Sequence, residues 1–192
     1  WTRNGQNWNG MCAECHSTNL VKGYDPENRA YTTTWTDIDV GCEACHGPAS
    51  NHVAAARAGM VIGKSALPVD LGDRDGVSWR MNPDTGIAER HPMAMQTPQQ
   101  PEACGRCHAR RGIITSDYEY GRMLADTHRV ALLTEPLYFS DGQIRDEVYV
   151  YGSFLQSRMY QAGVTCSDCH NPHSLKLHTG HEPDLVCARC HL

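Results

Sequence analysis

Only short stretches of the chain carry the apolar pattern of a helix or a strand. The Ala-rich stretch from 49 to 59 predicts a short helix, with Ser50 as its N-cap and Gly59 as its stop. Two further helices are predicted over residues 116 to 129 and residues 151 to 162. The predicted helices are therefore few and short.

Strand-like and loop-like stretches account for much of the remaining chain. The β-branched and aromatic residues 31 to 36 predict a small hairpin. Residues 60 to 101 are rich in Gly, Pro, Asp and Asn and predict a long loop. Together these patterns predict a mostly irregular, loop-rich fold with short α-helices and little β structure.

The composition argues against a conventional hydrophobic core. The 192 residues include only two Phe, whereas Gly and Pro number 17 and 10. This leaves too little aliphatic side chain to fill the interior of a chain of this length. The unusual feature is the presence of ten Cys and eleven His, so we expect a group bound by these residues to supply part of the core.

Charge and hydropathy argue against nucleic acid binding and against a transmembrane segment. The net charge is -5 and no basic patch is present, which argues against nucleic acid binding. No run of eighteen apolar residues occurs, so no transmembrane segment is predicted. The sequence opens without a signal-peptide pattern, so either such a peptide has been removed or the sequence begins within a longer protein.

All ten cysteines fall into one five-residue pattern, C-x-x-C-H, which occurs five times and leaves no cysteine over. We number these motifs 1 to 5 in chain order. They are Cys12-Ala13-Glu14-Cys15-His16, Cys42-Glu43-Ala44-Cys45-His46, Cys104-Gly105-Arg106-Cys107-His108, Cys166-Ser167-Asp168-Cys169-His170 and Cys187-Ala188-Arg189-Cys190-His191.

This spacing is typical of covalent haem attachment. Two thiols separated by two residues lie about one helical turn apart, near the separation of the two haem vinyl groups. The histidine that follows is then held beneath the porphyrin, where its imidazole reaches the iron. The sequence therefore predicts five covalent haems c, with the motif histidines as proximal ligands: His16, His46, His108, His170 and His191.

Other uses of C-x-x-C explain the pattern less well. Structural zinc would pair the motifs into four-ligand sites, but five motifs pair badly and zinc gives no reason for a histidine after each one. A disulfide framework does not require one repeated spacing, and a thioredoxin-like site needs a single motif in a βαβ unit.

Six histidines lie outside the motifs, against five irons that need a second axial ligand. The near match predicts mostly His/His ligation, which leaves no open site on the iron. His52 and His128 lie in predicted helices, and His173 is too close to His170 to reach the opposite face of the same haem, so it is expected to bind another. The remaining candidates lie in predicted loops: His91, His178 and His181.

Two alternatives apply to individual distal ligands. Any one of the six histidines is alternatively an ordinary surface or hydrogen-bonding residue. Met93 or Met95, in a predicted loop, would supply a thioether ligand and raise the potential of its haem. Asp70, Asp73 and Asp75 form either a solvated turn or a calcium site, and the turn is favoured because only three carboxylates are present.

The spacing between motifs predicts how the haems are organised. Successive motifs begin 30, 62, 62 and 21 residues apart. Residues 12 to 46 and residues 166 to 191 therefore each hold a predicted haem pair, with a central haem at residues 104 to 108. We expect one pentahaem domain over residues 1 to 192.

Several stretches resemble a known family. The sequences MCAECHSTNL at residues 11 to 20 and DVGCEACHGP at residues 39 to 48 are similar to multihaem cytochromes often fused to tetratricopeptide repeats, which are related to the tetrahaem carriers of nitrifiers. The stretches DGQIRDEVY, GSFLQS and GVTCSDCH between residues 141 and 170 resemble the same family. The resemblance implies a multihaem cytochrome c fold built around a chain of haems, with export and electron transfer.

These observations predict a function. We expect electron transfer through five haems in extracytoplasmic respiration, in the periplasm or outside the cell, with redox proteins or extracellular acceptors as partners. Two alternatives stay open. One is a subunit of a polymeric cytochrome filament, and the other is an oxidoreductase with one open haem, for which no catalytic residue is predicted.

Overall fold

A computed structural model describes residues 6–60, 66–93, 99–116, 118–180 and 182–192. The chain divides into two compact units. The first unit comprises Trp1–Asp70, Ala103–Cys107 and Gly112–Arg129; the second comprises Leu71–Glu102, His108–Arg111 and Val130–Leu192. Motifs 1 and 2 thus belong to the first unit and motifs 4 and 5 to the second, while one domain over the whole chain stays a prediction.

The first unit begins with a π-helical turn and a small hairpin. The turn spans Trp8–Cys12, and Asn7 caps it by accepting a hydrogen bond from the backbone of Asn9 at 2.9 Å. Strands β1 (Tyr24–Asp25) and β2 (Ala30–Tyr31) pair antiparallel. The predicted hairpin is present, and antiparallel bridges continue it as far as Thr18 and Asp37.

Two short helices follow in the first unit. Helix α1 spans Cys42–His46 and contains motif 2, and helix α2 spans Ser50–Arg57. The predicted helix around residues 49 to 59 is therefore confirmed, although its N-cap is Ala49 and not Ser50. The helix is followed by Gly59, whose φ of +67° is a left-handed conformation that favours glycine.

The segment from 99 to 130 differs from its prediction. Helix α3 spans Gln99–His108 and ends in motif 3. Strands β5 (Arg111–Ile113) and β6 (His128–Val130) then form a two-stranded sheet, with a 3₁₀ turn at Leu124–Asp126. The helix predicted over residues 116 to 129 is wrong, because the end of that segment pairs as a strand.

The second unit contains a hairpin inside the predicted long loop. Strands β3 (Ser78–Asn82) and β4 (Ile87–His91) pair antiparallel, with Ser78 opposite His91. The loop prediction for residues 60 to 101 is therefore wrong over this stretch. The turn that joins the strands is held by Asn82, whose Oδ1 accepts the backbone N–H of Asp84 at 2.9 Å.

The remaining elements of the second unit are short. Helices α4 and α5 form where residues 151 to 162 predicted one helix, and Ser157 separates them by capping α5. A small antiparallel sheet follows motif 4, and a last helix leads into motif 5. The bounds are α4 Tyr151–Gln156, α5 Arg158–Gln161, α6 Cys166–Cys169, β7 His170–Asn171, β8 Lys176–Leu177 and α7 Pro183–Ala188.

The prediction of short helices joined by irregular segments is confirmed for the described chain, whose β structure consists of small two-stranded sheets. Few large apolar side chains are buried. Half of the buried apolar residues are alanines, and the others are Val69, Leu124, Tyr138 and Val148. Within the described residues, no helix has both the length and the apolar character needed to cross a bilayer.

Candidate functional site

The ten cysteines of the motifs all lie in the part of the chain that the structure describes. In motifs 2, 3 and 4 the first and second cysteine share one helix, so their side chains are separated by about one turn. In motifs 1 and 5 the helix ends within the motif and a turn carries the chain to the second cysteine. Two cysteine side chains at this spacing fit the two thioether bonds of a haem c.

His46 has the environment of a proximal iron ligand. Its Nδ1 lies 3.5 Å from the carbonyl oxygen of Val69, and the backbone N–H of Val69 donates to the His46 carbonyl at 3.2 Å. Imidazoles that bind metals commonly donate Nδ1–H to a carbonyl, which leaves Nε2 for the metal. The Val69 backbone therefore orients His46 as iron ligation requires.

Motifs 1, 2 and 3 have contacts within the first unit. Cys15 Sγ lies 4.0 Å from the Cys107 carbonyl oxygen, and Arg106 Nη1 donates to the Ala44 carbonyl at 3.1 Å. Burial raises the pKa of the Cys45 thiol, and the nearby Cys104 raises it further. The three motifs thus bring six thiols into one region of this unit.

Motifs 4 and 5 meet at Asp168 in the second unit. Its carboxylate accepts hydrogen bonds from the backbone N–H of Thr165 at 2.8 Å and from Trp79 Nε1 at 2.9 Å. Arg74 Nε lies 2.8 Å from Asp168 Oδ1. Arg189, which belongs to motif 5, donates Nη1 to the Asp168 carbonyl at 2.7 Å.

Burial and two neighbouring imidazoles lower the pKa of His170 in the second unit. Burial lowers the pKa of His170, and the imidazoles of His108 and His178 lower it further. A lowered pKa favours the neutral imidazole, which is the form that can bind a metal. His178 Nε2 lies 2.9 Å from the Ser167 carbonyl oxygen, so this candidate distal ligand contacts motif 4.

His52 is the distal candidate whose ring best fits a bound metal. It lies on α2, and its Nδ1 is buried without a hydrogen-bond partner in the described chain. A buried polar atom without a partner costs about 1–3 kcal/mol, and binding of a metal or a proton acceptor removes that cost. The orphaned nitrogen therefore supports a ligand role for His52.

The surroundings of His128 fit a ligand role less well. Its ring is 2 % exposed, with Nε2 2.9 Å from Glu14 Oε1 and Nδ1 2.8 Å from Thr127 Oγ1. Tyr118 packs edge-on against the ring at 6.1 Å between centroids. Iron ligation by His128 would require one of these two hydrogen bonds to break.

The other distal candidates lie in different local structures. His91 ends strand β4 and so is not in a loop as predicted, whereas His173 and His178 lie in turns. Met93 is 74 % exposed. His181 and Met95 lie outside the described residues.

The acidic stretch near residue 73 has a structural role in the described chain. Asp73 accepts the backbone N–H groups of Gln99 and Gln100 at 3.1 and 2.8 Å, and so caps the start of α3. In the part of the chain that the structure describes, no three His, Cys, Asp or Glu side chains converge as ligands of one metal ion. A bis-His haem requires only two such ligands for each iron.

The chain has been compared with known proteins. No family model, no curated protein and no solved structure matches it. The resemblance to multihaem cytochromes therefore stays a prediction that rests on the motif sequences.

Sequence reasoning missed the residues between the cysteines. Glu14, Arg106, Asp168 and Arg189 each precede the second cysteine of a motif, and each makes a contact far away in the sequence. The pattern C-x-x-C-H leaves these positions open, so their charge was the only signal. Their partners could not be found without the fold.

Proposed function

We propose that the protein is an electron carrier that holds five covalent haems c, mostly with two histidine ligands, and works outside the cytoplasm. The observation that carries the proposal is that five C-x-x-C-H motifs together use every cysteine of the sequence. When bound, the haems would supply one-electron redox chemistry, each iron alternating between two oxidation states.

The residues of the chain have separate roles in this proposal. The motif cysteines bind the porphyrins through thioether bonds, and the motif histidines bind the irons from one side. The Val69 carbonyl orients the His46 ring. His52, whose buried Nδ1 has no hydrogen-bond partner in the described chain, is the distal candidate that the local contacts support best.

The test is a low-temperature electron paramagnetic resonance spectrum of the oxidised protein, produced in a host that attaches haem c. We expect only low-spin ferric signals, because two imidazoles at each iron give a strong ligand field. A high-spin signal in the native protein would indicate an open iron and would favour an oxidoreductase. A protein without haem would overturn the proposal.

The His52→Ala variant sharpens this test. We expect it to keep five haems and to gain one high-spin ferric signal, because one iron loses its second axial ligand. The haem count is measured on the same sample. An entirely low-spin spectrum for the variant would show that His52 is not a ligand.

A further inference from the structure

Two arginines occupy the same position in two motifs. Arg106 and Arg189 each stand directly before the second cysteine, in motif 3 and motif 5. Arg106 Nη1 donates to the carbonyl of Ala44 at 3.1 Å, and Arg189 Nη1 donates to the carbonyl of Asp168 at 2.7 Å. The same side chain therefore makes the same type of contact in each of the two units.

The two acceptor residues also occupy the same position in their motifs. Ala44 stands directly before the second cysteine of motif 2, and Asp168 stands directly before the second cysteine of motif 4. Both carbonyls lie near the C-terminal end of a short helix, where backbone oxygens have no partner within the helix and carry partial negative charge. A guanidinium is well suited to such an oxygen, because the hydrogen bond is charge-assisted.

The Arg106 side chain is held in place by aromatic rings. Its guanidinium carbon lies 4.0 Å from the centroid of the Tyr118 ring and 5.2 Å from that of the Tyr120 ring. Tyr120 in turn donates its hydroxyl to Asn19 Oδ1 at 2.7 Å. Stacking on these rings already restricts the Arg106 side chain. The arginine therefore loses less conformational freedom when it donates its hydrogen bond to motif 2.

In the second unit, it is the acceptor residue, Asp168, that is held in place by its neighbours. The Asp168 carboxylate accepts hydrogen bonds from the Thr165 backbone N–H and from Trp79 Nε1, and it forms an ion pair with Arg74. Arg74 Nη1 also donates to the Ser167 carbonyl at 2.9 Å. The carbonyl that receives Arg189 therefore belongs to a well-anchored turn of motif 4.

We propose that Arg106 and Arg189 are positioning residues that join motif 2 to motif 3 and motif 4 to motif 5, and so fix two pairs of neighbouring haems and place a positive charge within each pair. This inference rests on the proposed function. It adds a pair to those expected from sequence spacing, because motif 2 is joined to motif 3 although 62 residues separate their first cysteines.

The test uses Arg106→Gln and Arg189→Gln in the haem-loaded protein, with the haem count fixed first by intact mass. The matched controls are Arg122→Gln in the first unit and Arg158→Gln in the second, which remove the same charge from exposed positions. Reduction potentials are measured by spectroelectrochemical titration. Soret circular dichroism measures the coupling between neighbouring haems.

We expect each Arg→Gln variant to make two of the five haems harder to reduce. Loss of a nearby positive charge favours the ferric form, and we expect a shift of roughly threefold to tenfold in the reduction equilibrium of those haems. The Soret coupling signal is expected to fall by at least half, whereas the controls keep both properties.

Arg106→Lys and Arg189→Lys separate position from charge and serve if the glutamine variants bind fewer haems. The lysine variants keep the charge but lack the planar guanidinium group with its fixed donors. We therefore expect reduction potentials close to those of the controls and a weakened coupling signal. Five haems with potentials and coupling equal to the controls in all four variants would overturn this inference alone. A protein that binds no haem would instead overturn the proposed function.

Discussion

At the scale of single residues, Asp168 makes several contacts outside its motif, although it lies between the two cysteines of motif 4. Its carboxylate joins the start of its own helix to strand β3 through Trp79 and to the loop that carries Arg74. Hydrogen bonds to a charged group contribute about 1.5–3 kcal/mol each, although such contributions do not add. Asp168 therefore stabilises the second unit as well as motif 4.

Replacement of Asp168 by Asn tests this role. Asn keeps the shape but removes the charge and one acceptor, so we expect the free energy of unfolding to fall by about 2 kcal/mol. The measurement is guanidinium unfolding of the haem-loaded protein, with Asp84→Asn in an exposed turn as the control. Equal stabilities of the two variants would show that the Asp168 contacts contribute nothing.

Tyr151 provides a prediction about pH. Burial raises the pKa of its hydroxyl, and the neighbouring Glu102 carboxylate, 3.2 Å away, raises it further. Because the folded pKa lies above the unfolded value of about 10, this residue stabilises the fold fully below pH 10 and loses that contribution as the pH rises further.

The Tyr151→Phe variant measures that contribution. We expect the stability difference between native protein and variant to be constant below about pH 10 and to shrink above it, since Phe does not titrate. Tyr149→Phe at an exposed position is the control. A difference that grows above pH 10 would contradict the raised pKa.

The sequence was most informative for residues with fixed spacing. The cysteines and the histidines that follow them form a repeated pattern, so the candidate site could be predicted without a fold. The contact between His128 and Glu14 could not be predicted, because 114 residues separate these two residues and no sequence pattern pairs them. Distal ligands depend on such long-range packing.

At the scale of secondary-structure elements, Gly47 determines how the motif 2 helix ends. Its φ of +74° and ψ of -176° are open essentially to glycine alone. A Cβ at this position would lie 3.2 Å from side-chain carbons of Tyr120 and 3.3 Å from Pro68. The helix therefore ends immediately after His46 and the chain turns away.

We expect Gly47→Ala to lower the free energy of unfolding by about 1–3 kcal/mol, through backbone strain and this crowding. Thermal or guanidinium unfolding of the loaded protein measures the change. Gly59→Ala is the matched control, because Gly59 also has positive φ and, among the described residues, no atom within 4 Å of an added Cβ. A loss no larger than that of the control would contradict the role of crowding.

Helices and strands were predicted well where the local sequence favoured a single type of secondary structure. The helix of residues 50 to 57 followed from its Ala-rich sequence, whereas composition concealed the β3–β4 hairpin within a stretch that resembled a loop. The sequence Asn82-Pro83-Asp84-Thr85-Gly86 was a turn signal between two short strands. The helix expected over residues 116 to 129 was wrong because β6 pairs with β5, a contact outside the segment.

At the scale of the whole molecule, the described chain buries few large side chains. Leu124, Val148 and Tyr138 are buried, but side chains such as Trp35, Ile38 and Phe139 are at least 41 % exposed. Burying apolar surface is the main contribution to folding, so a chain of this size needs another apolar group within it. Five porphyrins bound beside the motifs would provide that surface.

Covalent attachment of five haems is tested most directly by the intact mass of the native protein under denaturing conditions. Only covalent groups remain bound in that measurement. A variant with both Cys42→Ala and Cys45→Ala serves as the comparison. We predict the polypeptide mass plus five haems for the native protein and plus four for the variant; the bare polypeptide mass for the native protein would contradict covalent attachment.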